Sequence, residues 1–318
     1  MFFQNNIARS VDFERLLQFF HFLRPHQMIY QLTLVTIILF FSPAVSMFQL
    51  FSAFVMIILI TPSFLLVQDV LGKKDDEKVG QKRILFSKRI NKVFFYSSLT
   101  ILVFILILNN VWALMSYILL FFFTLSYAVM KHYRRMVLSY TFRYLSSVWT
   151  FLLYLFILVV SINELFFALL IFISLLDLVG NIAGDIRDCK KDSLAGVKTL
   201  ATTKGMTFTL LIMFFFVLLS FSILYFLISN YLFLLLLCIN LIPFFILIKI
   251  PLQFSHGIFH LSKIFNFLSI SFILSGISFI PFFFALTCIM CLWSISYFLY
   301  LYYPDNVNIH FIKVEFYI

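Results

Sequence analysis

Charged residues, glycines and a cysteine framework are all scarce in this sequence of 318 residues. Only 11% of the residues are charged, 63% are hydrophobic, and the mean hydropathy is +1.08. A soluble domain built around one core needs far more polar surface, so this class is excluded. No linker or low-complexity tail marks a second domain, and we predict a single domain over residues 1–318.

The few cysteines and histidines do not predict a metal centre of their own. Cys288 and Cys291 have the spacing of a metal knuckle, but the chain has only 4 cysteines and lacks a second such pair. His256 and His260 are four residues apart with no cysteine or carboxylate close by in the sequence. We therefore predict an interfacial position for this histidine pair and no disulfide framework.

The hydrophobic residues form runs of about 20 residues, the length that crosses a bilayer as a helix. These runs lack the alternation of a membrane barrel. We predict an all-α polytopic membrane protein in which nine or ten transmembrane helices form one bundle. Residues 1–25 combine charged and aromatic side chains, which indicates an interfacial amphipathic helix rather than a cleaved signal peptide. The predicted spans lie near 28–47, 48–67, 93–109, 111–130, 138–160, 164–184, 206–228, 230–250, 265–282 and 283–302.

The net charge of +10 is distributed unevenly along the chain. Lysines and arginines gather in the segments 73–92, 131–143 and 187–204, whereas the turns at 109–110, 161–164 and 229–230 contain none. This alternation is the positive-inside pattern. It predicts an integral protein of the cell inner membrane with its N-terminus and its charged loops in the cytoplasm, and it argues against nucleic acid as a partner.

Three carboxylates follow one another where a long apolar segment becomes polar. Asp185, Asp188 and Asp192, with Asn181 one turn earlier, fall within about 60° of one another on a helix. Oxygen ligands of this kind suit Mg²⁺, which is commonly shared between one or two carboxylates and a phosphorylated substrate. The strip therefore predicts diphosphate chemistry at a membrane surface.

A second acidic segment lies earlier in the chain. Asp69 and Asp76 are seven residues apart, and Asp75 stands in the same relation to Gln68, so a helix would carry two columns of polar groups. Taken alone, the segment also fits a solvated loop of mixed charge. Because segments 68–92 and 185–205 are predicted on the same membrane side, we interpret them as two active-site loops of one site.

Both segments resemble the two signatures of the UbiA superfamily of membrane prenyltransferases. The stretch from Asp185 to Leu200 is similar to that family's second signature almost position for position, and Asp69 and Asp76 match the first. Gln68 stands where the family has Asn, and Gly72 replaces its middle Asp. Weaker similarities are found at Leu23–Gln27, at Tyr127 with Lys131, and at Arg83 with the residues after it.

The resemblance implies a Mg²⁺-dependent enzyme that moves a polyisoprenyl group from its diphosphate to an acceptor of the quinone-precursor type. It also implies a central cavity open to the cytoplasmic side and to lipid, with a small aromatic or polar acceptor and membrane lipid as partners. The implied catalytic and metal-binding residues are Asp69, Asp76, Asp185, Asp188 and Asp192, with Asp75 as a further ligand. The implied substrate contacts are Gln68, Arg83, Tyr127, Lys131, Arg187 and Lys198, with Arg24 for an acceptor carboxylate.

Three alternatives remain open at the level of the sequence. A non-catalytic membrane scaffold derived from the same family would explain Gln68 and Gly72. A terpene cyclase would use the same diphosphate site without an acceptor. A transporter would place carboxylates near the bilayer midplane, where we predict only Asp177.

Overall fold

A computed structural model describes residues 24–42, 45–61, 90–158, 164–247 and 254–302, and every regular element in these ranges is a helix. Within the stretches 90–158 and 164–247, consecutive helices are joined by short connections, as expected for neighbours in a bundle. Their bounds are α1 (Pro25–Phe41), α2 (Met47–Thr61), α3 (Ile90–Ile107), α4 (Val111–His132), α5 (Met136–Ile157), α6 (Glu164–Arg187), α7 (Cys189–Ala195), α8 (Leu200–Lys204), α9 (Met206–Ile228), α10 (Leu232–Leu247), α11 (Ser255–Ser275) and α12 (Phe279–Tyr302).

Five of these helices, namely α4, α6, α9, α11 and α12, are long and apolar enough to cross a membrane. Four shorter apolar helices, over Pro25–Phe41, Met47–Thr61, Tyr96–Ile107 and Leu232–Ile246, accompany them. The prediction of an all-helical integral membrane protein is confirmed. The predicted number of nine or ten spans is not confirmed by the described residues, and the predicted helix over residues 1–25 lies almost wholly outside them.

The position of α11 differs most from the sequence prediction. The predicted span began near residue 265, whereas the helix runs from Ser255 to Ser275 and ends at Gly276, whose φ is +66°. Hydropathy excluded the first half of the helix because it contains His256, His260 and Lys263. These side chains are buried against other helices instead of facing water or lipid.

Helix α6 lies at the centre of the bundle. Within its most apolar window 72% of the residues are buried, compared with 28% for α9 and α12. It contacts α5 on one side and α9 and α11 on others, while α1 contacts α5, α11 and α12. Large apolar side chains such as Phe226 and Phe284 remain exposed on the outer helices, as expected for surfaces that face lipid.

Polar side chains hold the α4–α5 hairpin together at two levels. Asn110 caps α4 by accepting a hydrogen bond from Ala113 N, and its Nδ2 donates to Phe156 O at the end of α5 over 2.8 Å. Further along the hairpin, Thr124 and Ser146 share a buried hydroxyl–hydroxyl hydrogen bond of 2.9 Å. Interhelical hydrogen bonds of this kind fix helix register in a membrane, where apolar contact alone discriminates poorly. The hairpin thereby sets where Lys131 and Tyr140 lie.

Candidate active site

The acidic strip continues helically past the end of α6. Asp188 N donates to Gly184 O over 3.0 Å, and Asp192 N donates to Asp188 O over 2.8 Å. Asp185, Asp188 and Asp192 therefore keep the helical spacing that the sequence predicts. The predicted loop over 185–205 is a folded segment that contains the end of α6, all of α7 and α8, and two glycine turns.

A glycine ends α7 directly after the strip. Gly196 has a φ of +71°, and Val197 N returns to Asp192 O over 2.8 Å. This left-handed conformation is the usual C-terminal cap of a helix and disfavours any residue with a Cβ. A Cβ at Gly196 would also lie 3.1 Å from Arg134 Nη1, and Arg134 Nη2 donates to Ala195 O over 3.3 Å. The glycine and the arginine thus fix the end of α7.

The next helix is tied to the strip through a tyrosine. Thr199 caps α8 in a reciprocal arrangement with Thr202. Leu200 N, one of the unpaired donors of the first turn of α8, donates to Tyr140 Oη over 3.2 Å. The hydroxyl of Tyr140 in turn donates to Asp185 Oδ2 over 2.5 Å. Tyr140, which the sequence did not single out, therefore joins α5, α6 and α8.

Asp185 lies between this tyrosine and a lysine of α4. Lys131 Nζ is 3.5 Å from Asp185 Oδ1, and the Asp185 side chain is 13% exposed while that of Lys131 is 37% exposed. The lysine partly neutralises the carboxylate but keeps free donors, because an ammonium group carries three. The structure places Lys131, which we predicted as a substrate contact, beside the acidic strip.

Asp188 is bound by its neighbour in the chain. Arg187 Nε and Nη2 donate to the two carboxylate oxygens over 2.9 and 2.7 Å. Burial raises the pKa of Asp188, but the Arg187 guanidinium outweighs this effect and holds the pKa below its usual value. Arg187, which we predicted as a substrate contact, is thus engaged with Asp188 in this arrangement.

Asp192 differs from the other two carboxylates because it is buried without full compensation. It is 7% exposed, and its Oδ2 has no hydrogen-bond partner among the described residues. Burial raises the pKa of Asp192 to about 7; Lys131 opposes the shift, while Asp185 and Asp188 add to it. A buried carboxylate oxygen without a donor is costly, so this group is arranged to receive a cation or a proton.

The chemistry of the strip fits Mg²⁺, although the strip alone does not complete a metal site. Asp185 and Asp192 supply hard oxygen donors, and the unpartnered Oδ2 of Asp192 is available for coordination. Among the described residues, however, no three histidine, cysteine or acidic side chains converge closely enough to hold an ion. Magnesium commonly takes only one or two protein carboxylates and completes its shell with water and phosphate, which is compatible with this arrangement.

The remaining predicted residues are distributed differently. Tyr127 lies one turn before Lys131, and its ring is under the Arg143 guanidinium, 5.4 Å from Cζ to ring centroid. Lys198 is exposed between α7 and α8 and forms no ion pair within the described ranges. Arg24 immediately precedes α1 with a φ of 45°. The predicted residues Gln68, Asp69, Asp75, Asp76 and Arg83 lie outside the described residues.

A buried ion pair that the sequence analysis did not predict lies deeper on α6. Lys263 Nζ on α11 is 2.6 Å from Asp177 Oδ1, and the two side chains are 2% and 5% exposed. The other oxygen of Asp177 accepts hydrogen bonds from the hydroxyl of Ser147 and from Asn181 Nδ2. Lys263 also lies 3.7 Å above the ring of Tyr30. The sequence signal for this pair was the carboxylate of Asp177 within an apolar span, because Lys263 lay outside the predicted spans.

The two histidines that we predicted at the interface are buried. His256 and His260 are each 8% exposed, and their ring centroids are 4.1 Å apart. They lie against Gly184 and Gly180 of α6, where an added Cβ would approach the His256 and His260 rings to 3.2 and 3.3 Å. The histidines are buried because α6 offers glycines at these two positions, and the imidazoles fill that space.

No family model and no curated protein matches this sequence. Solved structures do match the fold. A structure of digeranylgeranylglyceryl phosphate synthase has 20% sequence identity and a TM-score of 0.57, with 82% of this chain and 98% of that chain covered. Two structures of a UbiA homologue from Archaeoglobus fulgidus, one bound to DMAPP and Mg²⁺ and one to GPP and Mg²⁺, each have 12% identity and a TM-score of 0.52. Both cover 88% of this chain, and they cover 98% and 99% of their own chains.

At these identities the likeness establishes the fold and not the activity. The predicted resemblance to the UbiA superfamily is therefore confirmed at the level of the architecture. Helices that pack around α6 in this chain form the same fold that holds an allylic diphosphate and Mg²⁺ in the archaeal homologue.

Proposed function

We propose that this protein is an intramembrane prenyltransferase that takes a polyprenyl group from its diphosphate in a Mg²⁺-dependent reaction. The observation that carries the proposal is the buried, unpartnered oxygen of Asp192 beside Asp185 and Lys131, on a fold of the UbiA type. A structural carboxylate is normally saturated with donors, whereas a metal ligand retains a free oxygen.

The residues of the strip would share the work of binding the diphosphate. Asp185 and Asp192 would hold Mg²⁺, which when bound neutralises the charge that develops on the leaving diphosphate. Lys131 has donors left after its contact with Asp185 and would direct them to diphosphate oxygens. Tyr140 keeps Asp185 in one orientation through its 2.5 Å hydrogen bond. Arg187 would orient Asp188 in the same way.

The rest of the site is proposed from the sequence. Asp69 and Asp76, with Asp75, would bring the second set of carboxylates to the strip from the cytoplasmic side, while Gln68 and Arg83 would contact the diphosphate. Lys198 and Tyr127 would contribute a phosphate donor and a ring face for the allylic cation. The prenyl chain would lie in an apolar cavity open to lipid. The acceptor, which we propose to be an aromatic ring of the quinone-precursor type, would enter from the cytoplasmic side.

The inner ion pair does not favour the transporter alternative. A transport site near the midplane needs charges that a substrate or an ion can engage. Asp177 instead has its oxygens occupied by Lys263, Ser147 and Asn181. The cyclase and scaffold alternatives are separated from the proposal by experiment.

The test incubates membranes containing the protein with a radiolabelled geranyl diphosphate, with and without Mg²⁺, and with a panel of acceptors that includes hydroxybenzoate. We expect Mg²⁺-dependent prenylation of an acceptor, and a loss of about 100-fold or more in the Asp185→Ala and Asp192→Ala variants. Glu164→Ala is the matched control, because Glu164 is an exposed acid at the opposite end of α6.

Three outcomes would replace the proposal. Equal consumption of the diphosphate by wild type and both variants would remove the strip from the site. Consumption without any acceptor would indicate a cyclase. No consumption under any condition would favour the scaffold.

A further inference from the structure

An arginine of α5 lies inside the bundle without an acceptor for its hydrogen-bond donors. Among the described residues, the guanidinium of Arg143 forms no ion pair and no hydrogen bond, and its Nε is enclosed and unpaired. Its Cζ lies 5.4 Å from the centroid of the Tyr127 ring. A ring face attracts the charge of a guanidinium but does not replace an oxygen as acceptor for its in-plane N–H groups. The donors of Arg143 therefore remain available for a planar oxyanion.

Arg143 lies between the two carboxylate sites at which α5 contacts α6. On α5 it follows Tyr140 by three residues and precedes Ser147 by four, so the three side chains share one face. Tyr140 donates to Asp185, and Ser147 donates to Asp177. Because three residues of a helix rise by about 4.5 Å, Arg143 lies roughly one turn inward of the acidic strip.

The charge of Arg143 is not compensated at this level of the bundle. It acts on Asp177 and Lys263, but these two groups already form an ion pair of 2.6 Å. One carboxylate thus faces two cations, which leaves one positive charge in excess among these three side chains. His260, on which Arg143 also acts, is a base and cannot supply the missing negative charge. An unpaired cation within apolar spans is costly, so this residue indicates a functional contact with an anion.

Accessible surface on the strip's face of α6 extends inward to the level of Arg143. Asp185 and Asn181, which lie one turn apart on this face, are both half-buried, and so is Arg143. Further inward on the same face the helix is closed, because Asp177 and Ser174 are 3% and 0% exposed. Arg143 therefore lies at the inner end of the accessible part of this face.

We propose that Arg143 recognises the acceptor by binding a carboxylate or phosphate group of that molecule. The guanidinium donates two parallel hydrogen bonds to the oxyanion, and the anion neutralises the excess positive charge. The carboxylates of the strip repel a second anion, so an anionic acceptor needs a cation of its own, inward of the diphosphate. The role as acceptor rests on the proposed prenyl transfer, whereas the binding of the anion itself requires no diphosphate.

The binding of small aromatic anions tests this site without turnover. Radiolabelled hydroxybenzoate and radiolabelled phenyl phosphate are each dialysed against the purified full-length protein in detergent, and hydroxybenzamide is the neutral competitor of similar shape. We expect saturable binding of at least one anion, which an excess of hydroxybenzamide does not displace. The ratio of the two dissociation constants then shows whether the site prefers a carboxylate or a phosphate.

Substitutions assign the binding to the arginine. Arg143→Gln removes the charge and the planar fork, and we expect the dissociation constant of the bound anion to rise about 10- to 100-fold. Arg143→Lys keeps the charge without the fork, so its constant should lie between those of the wild type and Arg143→Gln. It also provides the test if the glutamine variant does not fold. Arg135→Gln is the matched control, because Arg135 is exposed at the beginning of the same helix.

Two results would overturn the proposal. One is the absence of saturable binding of either anion by the wild type. The other is a dissociation constant that is the same in the wild type and in the folded variants of Arg143, which would assign the anion to another cation.

The Mg²⁺-dependent binding of geranyl diphosphate, measured with the same proteins, separates this inference from the proposed function. We expect Arg143→Gln to bind geranyl diphosphate like the wild type, and Asp192→Asn to bind the aromatic anion no more weakly than the wild type. If the wild type binds the anion through Arg143 but binds no geranyl diphosphate, prenyl transfer fails and the anion site stands. If Arg143→Gln loses geranyl diphosphate but retains the anion, Arg143 belongs to the diphosphate site and this inference fails.

Discussion

Helix α6 and the short helix α7 that follows it carry acidic residues in two regions that have opposite surroundings. In the inner region, Asp177 is paired with Lys263 at 2.6 Å and accepts two further hydrogen bonds. In the outer region, Asp185 and Asp188 have partners, but the buried Oδ2 of Asp192 has none among the described residues. The site on α6 is therefore neutralised, whereas the site at the junction of α6 and α7 is under-compensated.

The difference separates a structural charge from a functional one. A buried carboxylate that is already paired can bind a cation only by losing its partner, so the inner region is expected to support the fold. Burial raises the pKa of Asp192 to about 7, and the nearby Asp185 and Asp188 add to this shift while Lys131 opposes it. Such an arrangement is unfavourable without a cation and favourable with one.

The largest expected effect comes from breaking the inner pair. Asp177→Leu leaves Lys263 buried without a counter-charge, which should lower the free energy of unfolding by about 3–5 kcal/mol. The double variant Asp177→Leu/Lys263→Met should recover most of this loss, since both charges are removed together. Thermal unfolding in detergent measures the stability of the single and the double variant. A single variant no less stable than the double would show that the pair is not the structural element that we describe.

A variant in the outer region should show the opposite behaviour. Asp192→Asn keeps the shape of the side chain but removes a metal ligand, so Mg²⁺-dependent consumption of geranyl diphosphate should fall about 100-fold. The free energy of unfolding should not decrease, because the amide removes an uncompensated buried charge. Glu164→Gln should change neither quantity. A marked loss of stability in Asp192→Asn would show that Asp192, like Asp177, supports the fold, and would contradict the difference between the two regions.

The outer region should also respond to pH. Because burial raises the pKa of Asp192 to about 7, we expect Mg²⁺ to displace a proton from this carboxyl below that pH. The apparent affinity for Mg²⁺ should therefore fall about tenfold for each pH unit below that value and level off above it. Titration of Mg²⁺ at several pH values in the presence of geranyl diphosphate measures this, with Asp192→Asn as the reference. If the apparent Mg²⁺ affinity depended on pH in the same way in the wild type and the variant, the displaced proton would belong to another group.

The smallest effects sharpen the comparison, because in each region a side-chain hydroxyl donates to a carboxylate: Tyr140 to Asp185 and Ser147 to Asp177. Tyr140→Phe and Ser147→Ala should each lower the free energy of unfolding by about 1 kcal/mol. Only Tyr140→Phe should lower the rate of diphosphate consumption, by about tenfold, because it alone orients a residue of the strip. Equal rates in the two variants would argue against an orienting role for Tyr140.

Much of the fold could be predicted from hydropathy alone, since α4, α6 and α9 begin and end close to the predicted positions. The exception is α11, where His256, His260 and Lys263 lowered the hydropathy although they are buried. Hydropathy measures how a side chain interacts with water, and it cannot register a partner on another helix. Asp177 was recognised as deep, but its partner Lys263 is 86 residues away in the chain and was not.

The site was predictable only in part for a related reason. Helical spacing and the resemblance to a known signature identified Asp185, Asp188 and Asp192 and their common face. Neither could identify Tyr140, whose contacts with Asp185 and Leu200 depend on how α5 packs against α6 and α8. Gly196 lies within the stretch that resembles the signature, whereas its role at the end of α7 follows from its φ of +71°.

The binding of geranyl diphosphate, measured by equilibrium dialysis with and without Mg²⁺, tests the central claim most directly. For the wild type and for Ser147→Ala, the account predicts that binding requires Mg²⁺. For Asp192→Asn it predicts that the same Mg²⁺ concentration no longer supports binding, so that little geranyl diphosphate is bound. Equal binding by the wild type and Asp192→Asn, or binding by the wild type without Mg²⁺, would contradict it.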